Sequence, residues 1–110
     1  MKNLITIVFG AAAIAFALVT QAKAEWPEKP IHFIIPFGAG GGADIEGRLI
    51  AKAMSSVLGQ PVVPVNKPGG GGAITYTYVK NSKPDGYTVA WNSTSVLTST
   101  NIGNVPFDYT

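Results

Sequence analysis

The chain reads as an α/β protein, a parallel sheet flanked by helices, built as one β-α-β-α-β run over residues 25–110. Three observations predict this. The apolar run Ile31-His32-Phe33-Ile34-Ile35 scarcely alternates, which suits a strand covered on both faces of a parallel sheet. It breaks into the glycine-rich stretch Pro36-Phe37-Gly38-Ala39-Gly40-Gly41-Gly42-Ala43-Asp44, and a helical pattern leaves that stretch. Two more strand-like segments follow, each running into a loop rich in glycine or hydroxyl groups.

Trp26-Pro27-Glu28-Lys29-Pro30 excludes helix and leads into strand one. His32 is the only histidine, and near a strand start with no catalytic neighbour it reads as a surface residue. Helix one is predicted from Asp44 to Leu58. Its buried stripe is expected to be Ile45, Leu49, Ala53, Met54, Val57 and Leu58, with Arg48 and Lys52 toward solvent. Asp44 stands in the first turn, where a carboxylate contributes ~0.3–1 kcal/mol against the helix dipole. Gly59 is placed to end the helix in the left-handed conformation.

Pro61 to Val65 is predicted as strand two, and its prolines demote it to a sheet edge. Asn66-Lys67-Pro68-Gly69-Gly70-Gly71-Gly72 forms a second glycine-rich loop. Ala73 to Asn81 is expected to be helical despite β-branched residues that weaken its propensity. Lys83-Pro84-Asp85-Gly86 is a turn, Tyr87 to Trp91 is strand three, and Asn92-Ser93-Thr94-Ser95 is a polar loop at its end. In a parallel sheet these three loops share the carboxyl edge, where open α/β sheets bind ligands.

The first 24 residues read as a secretory signal. Lys2 gives the positive start, Leu4 to Val19 the apolar stretch, and Ala22-Lys23-Ala24 the small residues of a peptidase site between Ala24 and Glu25. An extracytoplasmic location follows. The formal charge of +2 vanishes from residue 25 onward. There Lys29, Arg48, Lys52, Lys67, Lys80 and Lys83 balance Glu25, Glu28, Asp44, Glu46, Asp85 and Asp108. A neutral chain without a basic stripe argues against nucleic acid as a partner. Absence of cysteine removes disulfides, thiolate nucleophiles and cysteine metal sites.

A strand that opens into glycines at a helix N-terminus directs unpaired backbone N–H groups at one point, a ready site for an anion. Gly38-Ala39-Gly40-Gly41-Gly42-Ala43 also fits G-x-G-x-x-A, a variant of the dinucleotide fingerprint. That fingerprint needs an acid about 20 residues on to hold the ribose. Val65-Asn66-Lys67 stands there instead. No Ser/His/Asp set, metal cluster or paired carboxylate is present, so no catalytic residue, metal or cofactor is expected.

Five segments in order resemble the substrate-binding proteins of tripartite tricarboxylate transporters, the Bug-type periplasmic receptors. Pro36 to Asp44 is similar to their P-F-x-A-G-G-x-x-D loop. Leu58-Gly59-Gln60-Pro61-Val62-Val63 is similar to L-G-Q-P-V-V, and Asn66 to Gly72 to N-[RK]-P-G-A-G-G. Pro84-Asp85-Gly86-Tyr87-Thr88 resembles P-D-G-Y-T, and Val105-Pro106-Phe107-Asp108 resembles [LV]-P-[FY]-D. One departure is Thr75-Tyr76-Thr77-Tyr78, where the family's second helix is usually alanine-rich.

The resemblance implies a type II periplasmic-binding-protein-like fold, of which residues 25–110 would be the N-terminal β-α-β-α-β part of domain one. Family members are several times longer, with two α/β domains around a cleft. The chain is therefore expected to be a truncated, non-functional fragment of such a receptor, binding dicarboxylates weakly at best. The implied ligand is a small organic anion, a carboxylate, delivered to membrane transporter subunits in the full-length protein. The implied contacts come from Phe37, Gly38, Ala39, Gly40, Gly41 and Gly42, with Thr94 and Ser95 as hydroxyl partners. A ligand carboxylate ~6 Å from Asp44 would be repelled by ~3 kcal/mol at an effective dielectric of 20. Asp44 is thus read as fixing the loop and helix start, or as meeting a ligand amine or water. The alternative reading is a dinucleotide-binding fragment of an oxidoreductase. Export of the chain is expected to leave Glu25 as the first residue; N-terminal sequencing that returned Met1 would refute the cleavage site.

Overall fold

A computed structural model describes residues 25–108, so the signal-peptide reading and its Ala24–Glu25 junction lie outside the described residues. Three parallel strands, β1 (Ile31–Ile35), β2 (Val62–Asn66) and β3 (Thr88–Ala90), form a sheet in the order β2-β1-β3. Helix α1 (Gly42–Leu58) joins β1 to β2. A short 3₁₀ turn (Gly70–Gly72) and α2 (Ala73–Lys80) join β2 to β3, and α3 (Ser95–Asn101) follows.

β1 is central because it is the most apolar segment and can be covered on both faces. Ile31, Ile34 and Ile35 are almost wholly buried, and only His32 is exposed. Its amides alternate between neighbours: Ile31 N–H bonds the Pro61 carbonyl, and His32 N–H bonds that of Tyr87. β2 lies at an edge of the described sheet, where Pro64, opposite Phe33, needs no donor toward a further strand. β1 has its predicted bounds, β2 is shifted by one residue from Pro61–Val65, and β3 is one residue shorter at each end than Tyr87–Trp91. Tyr87 and Trp91 still bond β1 through the Tyr87 carbonyl and the Trp91 amide, although the ladder is counted only over Thr88–Ala90.

Ile31, Phe33 and Ile35 point to one face and pack with Val62 and Ala51, bordered by Met54, Leu58, Val89 and Trp91. Ile34 points to the other, where α2 contacts β1 and β3. A second small core joins Ala73 and Tyr76 of α2 to Val96 of α3 and to Val105.

α1 presents a different face from the one its hydrophobicity predicts. Met54 and Leu58 do border the core, but Ile45, Leu49 and Val57 are 56%, 65% and 84% exposed, and Ala53 is exposed as well. The buried row is Asp44, Gly47 and Ala51. The reason is volume. The three large β1 side chains already fill the space between layers, so the helix must offer small residues to them. A Cβ on Gly47 would stand 2.7 Å from Ile35 Cδ1. At the helix end Gly59 takes φ 69° and donates to the Ser55 carbonyl, as expected.

The polar loop predicted after strand three ends one residue early, because Ser95 begins α3, an element absent from the predicted run. Ser93 shapes its start: Ser95 N–H donates to Ser93 Oγ and Val96 N–H to the Ser93 carbonyl. The Thr- and Tyr-rich segment is helical as predicted, and its departure from alanine has a structural use. Thr75 is fully buried and donates its hydroxyl to the Lys67 carbonyl at 2.8 Å, while Tyr76 Oη lies 2.6 Å from Ser95 Oγ.

These packing assignments separate two substitutions in α1. Gly47→Leu is expected to destabilise the fold by about 1–3 kcal/mol through overpacking against Ile35. Leu49→Ala is expected to stay within about 0.5 kcal/mol of wild type. Urea unfolding midpoints of the two variants check both; the reverse order would restore the hydrophobic-row reading of the helix.

Candidate functional site

With all strands parallel, the loops after β1, β2 and β3 leave the sheet at one edge. In the first loop Pro36 is buried and Phe37 is half-buried. The Phe37 ring meets Trp91 edge-on, with centroids 6.2 Å apart. Gly38, Ala39, Gly40, Gly41 and Gly42 are all exposed. Gly40 takes φ 85°, a conformation that costs an L-residue roughly 1–2 kcal/mol. Gly41 is the N-cap of α1 and has no side chain with which to satisfy the first-turn amides.

Among the described residues, the amides of Gly38, Ala39, Gly41 and Gly42 have no hydrogen-bond partner. A Cβ built on Gly38, Gly40 or Gly42 meets nothing within 4 Å, so this side of the loop is open. Unpaired donors at the positive end of a 17-residue helix favour an anion.

Asp44 organises the loop from beneath, its side chain only 7% exposed. Oδ2 accepts the Gly40 amide at 2.9 Å. Oδ1 accepts both Arg48 Nε and Asn66 Nδ2, each at 2.9 Å. Arg48 Nη2 donates in turn to Asn66 Oδ1, and Asn66 Nδ2 also reaches the Phe37 carbonyl, again both at 2.9 Å. The Arg48 guanidinium first, then the Gly40 amide and the Asn66 amide, hold the carboxyl down from its ordinary 3.8 to about 2, outweighing the desolvation that would raise it.

The other two loops are braced against each other. Gly69, Gly70, Gly71 and Gly72 take φ of 137°, 57°, 62° and 101°, and the Gly72 amide closes the turn onto the Gly69 carbonyl at 3.0 Å. Ser99 Oγ of α3 donates to the Gly71 carbonyl. Lys67 sets its ammonium over the Tyr78 ring, 4.3 Å from the centroid.

The structure thus gathers Phe37 to Gly42 and Asp44 into one unit, with two qualifications to the predicted donor set. The Gly40 amide is taken by Asp44, and Phe37 directs its carbonyl to Asn66. Thr94 is exposed at the same sheet edge, whereas the Ser95 hydroxyl is engaged by Tyr76 and by Ser93. No hydrogen bond among the described residues joins either to the first loop. Arg48 and Asn66 were not among the predicted site residues. The Asp44–Arg48 spacing of four is a readable helix pair, but Asn66 reaches Asp44 only because β2 lies beside β1. Asn66 also stands where a nucleotide-binding chain would carry its ribose carboxylate, and here its amide is engaged internally.

His32 is remote from this edge. With Lys29, Val63, Lys83 and Thr88 it lines a concavity of about 630 Å³ near the amino end of the strands. Among the described residues no cluster of His, Cys, Asp and Glu could hold a metal ion, and no helix is long and apolar enough to cross a membrane.

Residues 47–110 match the tripartite tricarboxylate transporter family receptor. A UPF0065 protein in the gbd 5′ region of Cupriavidus necator is 44% identical over 75 residues, which cover 67% of this chain and 23% of that protein. A TctC solute-binding protein from Polaromonas superposes with a TM-score of 0.71 at 43% identity, over 76% of this chain and 29% of the other. Rpa4515 of R. palustris, solved with adipate, superposes with a TM-score of 0.64 at 35% identity, over 66% and 24% of the two chains. The chain spans between 20% and 32% of the length of the curated relatives it matches. Its fold is that of part of these periplasmic binding proteins.

The depressed Asp44 pKa sets a pH window. Because the folded value lies below the unfolded one, the contribution of this carboxylate to stability is present above about pH 4 and is lost as pH falls toward 2. The difference in urea midpoint between wild type and Asp44→Asn is therefore expected to be constant at neutral pH and to shrink between about pH 4 and pH 2. A difference that did not change over that window would show that the carboxylate is not held by these partners.

Proposed function

The chain belongs to the tripartite tricarboxylate transporter receptor family, and from that premise we propose that its carboxyl-edge loops form one side of a binding site for a small organic carboxylate. The observation that carries this is the open set of unpaired amides at Gly38, Ala39, Gly41 and Gly42, above a carboxylate whose charge Arg48 already balances. Adipate in the related Rpa4515 supports the ligand class. Thr94, exposed in the loop after β3 just before α3, is the remaining hydroxyl of the predicted pair available to such a ligand, while the Ser95 hydroxyl is held by Tyr76.

In this reading residues 25–110 belong to the first α/β domain of a two-domain receptor, exported by residues 1–24 to the periplasm. The loop edge is one wall of a cleft whose other wall is a second domain, and the loaded receptor delivers its anion to membrane transporter subunits. No bond is made or broken. The protein contributes oriented N–H dipoles and a helix terminus, and each hydrogen bond contributes about 0.5–1.5 kcal/mol net where water still reaches the ligand.

Adipate at millimolar concentration is expected to shift the amide resonances of Gly38, Ala39, Gly41 and Gly42. Gly40→Val is expected to abolish the response, because a branched side chain at φ 85° distorts the loop and protrudes on its open side. A folded Gly40→Val variant titrating like wild type would reduce the loop to a plain turn. Resonances unmoved in wild type would refute the anion site.

A further inference from the structure

Asp44 presents a difficulty for an anion site, since a carboxylate lies directly under the donors that are to meet another carboxylate. Its surroundings resolve it. Both oxygens are occupied, one by the Gly40 amide and the other by Arg48 and Asn66 together. Arg48 contributes a full positive charge, and it is the residue on α1 placed to do so. Asn66 contributes geometry. Its amide bridges three partners on two elements: the Arg48 guanidinium, the Asp44 carboxylate and the Phe37 carbonyl. Each side-chain atom of Asn66 that can hydrogen-bond is therefore used, and together these bonds tie the end of β2 to α1 and to the loop after β1.

We propose that Arg48 and Asn66 are positioning residues for anion recognition: they neutralise and orient Asp44 so that it holds the Gly40 amide, leaving the neighbouring amides open to a ligand without a free negative charge beneath them. Their relevance to binding rests on the reading given under Proposed function. Two further points follow from the same contacts. Asp44 is buried, its charge is matched by Arg48, and three of its roughly four acceptor sites are taken, so this wall of the site favours the carboxylate end of a ligand over an amine. Arg48 cannot be replaced by lysine without loss, because the Nε and Nη2 donors act on different residues at once and a single ammonium does not reproduce that fork.

The test uses the full chain and two readouts. Amide exchange at Gly40 reports the positioning, with Ile34, in the buried central strand, as the internal control for folding. Wild type is expected to protect the Gly40 amide, and Arg48→Met and Asn66→Ala to accelerate its exchange at least tenfold while Ile34 stays protected. Equal Gly40 exchange in all three proteins would overturn the positioning role. If Asn66→Ala loses Ile34 protection, Arg48→Met and Arg48→Lys decide the point alone, since Arg48 is half-exposed.

The second readout is adipate titration by loop resonances. Arg48→Met is expected to weaken adipate at least tenfold, and adding Asp44→Asn to it is expected to recover most of that loss. A purely structural role for the pair predicts the opposite, a double variant at least as poor as the single one, and that result would overturn the charge-balancing role. Absence of adipate binding by wild type would refute the proposed function while leaving the Gly40 exchange measurement to decide the positioning by itself.

Discussion

The loop at the carboxyl edge depends on one buried carboxylate. Asp44 sits in the first turn of α1, yet its partners lie on the preceding loop, on its own helix one turn later, and on the neighbouring strand. Without those partners a glycine-rich segment would have little reason to keep one conformation, because glycine loses more backbone freedom on folding than any other residue. A hydrogen-bonded ion pair makes an otherwise permissive loop specific. It also allows an electrically favourable helix terminus to remain open, since the pairing is made from below and leaves the outer face of the loop unfilled.

Much of this was legible in the sequence because it rests on local rules. Ile31 to Ile35 reads as a buried parallel strand from its lack of alternation, and Gly59 reads as a helix stop from its position. Pro64 correctly marks an edge strand, since an edge tolerates a missing donor. The strand-to-helix turn through Gly38–Gly42 follows from where an apolar run meets consecutive glycines. The tricarboxylate-receptor resemblance, carried by five short segments, is borne out by the family match over residues 47–110.

What was not legible depends on volume and on distant neighbours. The α1 face was misassigned because Ile45, Leu49, Ala53 and Val57 repeat at helical spacing just as a core stripe would. Only the size of Phe33 and Ile35 opposite Gly47 decides that the small residues face inward. The start of α3 was hidden by poor propensity in Ser95-Val96-Leu97-Thr98, where burial of Val96 and Ser99 overrides the local preference. Asn66 and Asp44 meet through strand order, which no local window contains. Gly40 was placed among the donors although its amide is engaged by a residue four positions later.

The strand order β2-β1-β3 also constrains how the chain reaches this state in time. The central strand is the first to be made and the last to be completed, since its second neighbour is supplied by Thr88–Ala90, late in the described chain. Until then one side of β1 carries unpaired amides, and closing so wide a loop is entropically slow compared with forming α1 or α2. A chain emerging from its amino end thus carries an apolar strand with an open edge through most of its synthesis. That interval, more than the stability of the finished sheet, is when a binding chaperone or an early mispairing would act on it.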